Sequence, residues 1–81
     1  MQFVEIAVQA YSGYTANERP LSFMFRERPY QVAAVIDRWY EGRPDAAAGY
    51  LNYFKVHTTD DSTFVLRYNG LFDVWSLMVT D

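Results

Sequence analysis

The sequence predicts a mainly β fold, a small antiparallel SH3-like barrel or rolled sheet of five to six strands, and three observations predict it. Apolar and polar residues alternate at period two over most of the chain. Gly, Pro, Asn and Asp break that alternation at close intervals, as turns do. Helical spacing is confined to residues 31–40, with room for one further helical turn at 45–49. A chain of 81 residues has room for one domain, spanning 1–81.

In Gln2–Ala10, Val4, Ile6, Val8 and Ala10 share one parity and Glu5 and Gln9 the other, the pattern of a half-buried strand. Tyr11–Asn17 is a turn-rich connection. Pro20 begins a second strand, with Leu21, Phe23 and Phe25 inward and Ser22, Met24 and Arg26 outward. Proline costs no ladder bond at a strand's first residue. Arg28-Pro29 then reads as a hairpin turn.

Residues 31–40 admit two readings. Val32, Val35, Ile36 and Trp39 match the helical template, yet the segment is β-branched and aromatic at both ends. A strand with one bulge near Ala34–Val35 brings Val32 inward together with Ile36 or Val35; read structurally, Trp39 is a core plug and Asp37–Arg38 are rim charges. The bulged strand is favoured over a short helix. Glu41-Gly42-Arg43-Pro44 ends the element, and Asp45–Gly49 is a loop or one helical turn capped by Asp45.

The C-terminal third is a meander. Leu51–Thr58 points Phe54, Val56 and Thr58 inward, and Tyr53, Lys55 and His57 outward. Thr63–Tyr68 sets Phe64, Leu66 and Tyr68 against Thr63, Val65 and Arg67. A two-residue turn at Asp60-Asp61 mixes inside with outside. A three-residue loop with Ser62 left-handed pairs Val56 with Leu66 and Phe54 with Tyr68, keeping one face apolar. The last strand, Val74–Val79, faces Trp75, Leu77 and Val79 inward. Pairing directly across Asn69-Gly70 would drive Asp73 into the core, so a longer loop, Asn69–Asp73, is expected.

Composition removes several function classes. There is no cysteine, hence no disulfide and no thiolate metal site, and His57 is the only histidine. Asp60-Asp61 reads as a turn former rather than a cation site. The four glycines are isolated, which leaves no phosphate-cradling loop, and no nucleophile sits in a catalytic motif. The expectation is a non-enzymatic protein with no cofactor. Met1–Ala10 shows no signal-peptide pattern and no apolar run approaches a membrane span, so a cytoplasmic protein with no membrane partner is expected.

Two tryptophans, seven tyrosines and six phenylalanines are more aromatic surface than so small a barrel hides. Tyr14, Tyr40, Tyr50, Tyr53 and Phe72 are the candidates for exposure. The net charge of −3 opposes generic nucleic-acid binding, although Arg19, Arg26, Arg28, Arg38 and Arg43 crowd the middle of the chain. By outward parity Arg38, Tyr53, Lys55, His57 and Arg67, with Arg26 nearby, form a candidate basic–aromatic patch for a partner. The leading expectation is an interaction module working through protein–protein contact or self-association. A weak single-stranded nucleic-acid binder, stacking bases on aromatics and holding phosphates with Arg and Lys, is the alternative.

The order Arg19-Pro20-x-x-Phe23, Tyr30-x-Val32-x-x-Val35-Ile36-Asp37-Arg38-Trp39, Tyr53-Phe54-x-Val56-x-Thr58-x-Asp60-Asp61, Leu66-Arg67 and Trp75-x-Leu77 resembles an uncharacterised family of small bacterial cytoplasmic proteins. A similar domain accompanies translesion-type DNA polymerases in some bacteria. The chain departs from that pattern at Ser62, where the family has Gly, and at Arg43–Gly49, which looks inserted. The resemblance implies a β domain without assigned activity and a link to nucleic-acid repair.

Overall fold

Among the described residues the alternation is realised as six antiparallel strands: β1 (Gln2–Tyr11), β2 (Arg19–Phe25), β3 (Arg28–Gly42), β4 (Tyr50–Thr58), β5 (Thr63–Asn69) and β6 (Val74–Val79). The computed structural model describes residues 2–11, 19–42 and 50–80, with the backbone alone at Tyr50. Tyr14, most of the Tyr11–Asn17 connection and the 45–49 segment lie outside the described residues, as does the side chain of Tyr50. Each strand pairs with its neighbour in sequence and β6 returns to β1, closing a barrel. Two strands change partner along their length. Gln2–Ile6 of β1 pairs with β6 and Ala7–Tyr11 with β2. Arg28–Gln31 of β3 pairs with β2, and Val32–Gly42 with β4. Among the described residues no helix is long and apolar enough to cross a membrane.

Inward parity fills the core as expected for β1, β4, β5 and β6. Phe54, Val56, Leu66 and Leu77 are buried with Phe23 and Trp75, and Val4, Ile6, Val8 and Phe64 pack against them. Each fully buried aliphatic or aromatic side chain contributes about 1.5–3 kcal/mol. The buried polar residues Asn52 and Thr58 share this interior. Asn52 Oδ1 accepts from Arg38 Nε at 3.3 Å, and Thr58 Oγ1 donates to Asp60 and accepts from Ser62 N.

Bulges account for most departures from expectation. On β2 the ladder runs from Gln9↔Ser22 to Ala10↔Pro20, which leaves Leu21 as the extra residue. Pro20 therefore turns inward and is buried, whereas Leu21 is 45% exposed rather than in the core. Residues 31–40 are strand, not helix, and carry two bulges rather than one, between Val32 and Ala34 and between Val35 and Asp37. The first bulge turns Val32 and Val35 to the same side; Ile36, skipped by the second, is 55% exposed. That second bulge restores the starting parity, so Arg38 shares the inner face with its partner Phe54 and Trp39 points outward. Trp39 is no core plug.

The turns differ in detail. The β2–β3 hairpin turns on Arg26-Glu27, with φ of 52° and 64°, not on Arg28-Pro29. Positive φ at both central residues is the type I′ geometry that matches strand twist. Phe25↔Arg28 closes the turn and Pro29 is one position beyond, where its N–H would point away from β2. The β4–β5 connection is a three-residue loop, but its left-handed residue is Asp61 (φ 70°), not Ser62. Asp tolerates that conformation better than Ser. The register is accordingly Val56↔Phe64 and Phe54↔Leu66, two residues from the expected one, with the face unchanged. The long β5–β6 loop is present: Asn69 pairs with Val74, and Asn69 Oδ1 accepts from the N–H groups of Leu71 and Phe72.

Candidate interaction face

Cross-strand partners in an antiparallel ladder share a face, and three ladders assemble one surface on the outside of the barrel. Asp37 lies opposite Lys55, and Trp39 opposite Tyr53. Tyr53 in turn lies opposite Arg67, and Lys55 opposite Val65. At the far side of the sheet Phe3 pairs with Met78. Together with Glu41 these residues, Arg67 apart, line an open groove of about 440 Å³ whose wall is more apolar than polar.

An aromatic cluster forms its floor. The Trp39 and Tyr53 rings stack with centroids 5.3 Å apart and planes inclined by 3°. Phe3 meets Tyr53 edge-on at 6.1 Å. The Arg67 guanidinium caps Phe3, with Cζ 3.9 Å from the ring centroid. These contacts cover Tyr53, which is only 8% exposed although it points outward, while Trp39 keeps 39% of its surface open. The Tyr53 hydroxyl donates to Glu41 Oε1 at 2.9 Å. Burial first, and then the bond to the Glu41 carboxylate, push the Tyr53 phenol above its ordinary value near 10; Arg67 partly offsets this.

The six residues expected to form the patch are not all brought together. Tyr53, Lys55 and Arg67 meet on this face. His57 continues the row along β4, but its Nε2 lies 3.0 Å from Asp61 Oδ1 in the β4–β5 turn. Arg26 sits on the β2–β3 turn and lies over Phe25 instead. Arg38 belongs to the inner face, its Cζ 4.9 Å from the centroid of Phe54. Both arginines fall outside the patch, Arg38 because the second β3 bulge reverses its side. Tyr40 and Phe72 are exposed as expected; Tyr53 is not.

Sequence reasoning missed Phe3, Asp37, Trp39 and Glu41 as members of the site. The alternation Asp37-x-Trp39-x-Glu41 is itself a signal, because it puts two carboxylates and an indole on one strand face. The charge pattern is consequently mixed, with Asp37 and Glu41 beside Lys55 and Arg67, rather than a basic track. Among the described residues no group of three or more His, Cys, Asp or Glu could hold a metal ion. Comparison with protein-family models, curated proteins and solved structures finds no match to this chain.

Proposed function

We propose that this chain is a non-enzymatic interaction module that docks a partner protein on the outer face of β3, β4 and β5. One observation carries the reading: the Phe3–Tyr53–Trp39 cluster faces outward, leaves Trp39 39% exposed and floors an apolar groove rimmed by both signs of charge. Stable interfaces have that anatomy, with an aromatic centre inside a polar rim. Self-association through the same face is a form of this reading.

The test compares immobilised wild-type protein with a Trp39→Ser, Met78→Ser variant in extracts of the host cell. Proteins retained by the wild type and lost with the folded variant support it. An unchanged set of retained proteins counts against it. Single-stranded nucleic acid is the second reading, favoured by the exposed indole beside Lys55 and Arg67. Its mark is affinity for an oligonucleotide that falls steeply with salt, and Asp37 and Glu41 on the same rim oppose it.

A further inference from the structure

We infer that the open face of Trp39 is the seat for a cationic side chain of the partner, an arginine guanidinium held between Asp37 and Glu41; this rests on the interaction-module reading above. Three features of the face converge on it. The indole stacks on Tyr53, and Trp39 keeps part of its surface open to an incoming group. A ring face attracts cations through its quadrupole, and a planar guanidinium stacks on it better than an ammonium does.

The two carboxylates bracketing the indole are held in place by donors that carry no charge. Asp37 Oδ1 accepts from the backbone N–H of Arg38 at 2.8 Å, and Glu41 Oε1 accepts from the Tyr53 hydroxyl at 2.9 Å. Each has a second oxygen outside these bonds, and neither lies in an ion pair among the described residues. Asp60 and Asp61, by contrast, are matched with Arg28 and His57. The nearest cation in sequence, Arg38, is turned to the inner face over Phe54. The face thus holds positioned carboxylates beside an exposed aromatic surface, with Lys55 opposite Asp37 and Arg67 opposite Tyr53 on its other side, and an incoming arginine meets the indole and the carboxylates together.

The cluster already binds one arginine of its own. Arg67 stacks on Phe3 on the same outer face, so this aromatic group accepts a guanidinium at contact distance. The apolar part of the groove, Val65 and Met78, suits the aliphatic stem and neighbouring residues of the guest.

The experiment is an NMR titration reading the indole N–H of Trp39, with that of the buried Trp75 as internal control. The probes are the blocked peptides (Arg-Gly)4, (Lys-Gly)4 and (Gln-Gly)4 and the oligonucleotide (dT)8. The expected result is a saturable shift of Trp39 with (Arg-Gly)4 at several-fold lower concentration than with (Lys-Gly)4, and no shift of Trp75. The double variant Asp37→Asn, Glu41→Gln keeps both acceptors while removing both charges, and is expected to weaken the arginine peptide about tenfold. Equal binding of the lysine peptide, or of the arginine peptide to the variant, overturns the assignment. A shift of the same size with (Gln-Gly)4 also overturns it, while leaving the interaction module standing. A salt-sensitive shift with (dT)8 and none with any peptide overturns both.

Discussion

Trp39 and Tyr53 stand directly opposite each other on β3 and β4 and stack almost parallel on the outside of the barrel, 5.3 Å between centroids. The pair joins the scaffold to the candidate site: one ring is covered, the other half-open. A double-mutant cycle with Trp39→Ala and Tyr53→Leu, followed by urea unfolding, should give a coupling of about 1 kcal/mol. Strict additivity would mean that the stack contributes nothing.

The Tyr53 hydroxyl makes stability depend on alkaline pH. A phenol whose folded-state value is raised holds its proton more firmly in the native protein. Its contribution is complete below the unfolded value near 10 and is lost as pH rises through the higher folded value. Tyr53→Phe should cost about 1 kcal/mol at pH 7 and flatten the alkaline limb of urea-derived stability.

At the opposite end of the pH scale the β4–β5 turn takes over. The Thr58 hydroxyl, then Ser62 and the Arg28 guanidinium at 2.9 Å, hold the Asp60 carboxyl below its ordinary value of 3.8. The stability it supplies is present above 3.8 and lost as pH falls through the lower folded value. Asp60→Asn should lower the melting temperature at neutral pH and leave a shallower decline below pH 4. Thermal melts from pH 2 to 7 check this.

Backbone strain sits in the β2–β3 turn, where Arg26 and Glu27 both have positive φ without being glycine. Glu27→Gly should stabilise the protein by about 1 kcal/mol in urea unfolding. Because that turn lies apart from the groove, partner retention should not change.

Parity alone makes most of the barrel legible in the sequence. Val4, Ile6 and Val8 on β1, Phe54 and Val56 on β4, Leu66 on β5 and Trp75 and Leu77 on β6 all stand where alternation puts them. Bulges are where counting fails, because each one exchanges inside for outside. At Leu21 a single unseen bulge moves Pro20 inward. On β3 one bulge is legible from Val32 and Val35, but the second, at Ile36, leaves no mark in composition. It is that second bulge which turns Arg38 in and Trp39 out, and so decides the membership of the site. Phe3 was missed for another reason: the sequence does not show that β1 closes the barrel against β6.

The central claim, that this outer face meets a partner, is tested most directly by site-specific photo-crosslinking in host-cell extract. A photoreactive residue is placed at position 55 in the groove or at the exposed position 31, where β3 pairs with β2. Discrete adducts from position 55, absent from position 31 and lost when Trp39→Ser is added, are the predicted result. Adducts formed equally from position 31, or indifferent to Trp39, would contradict it.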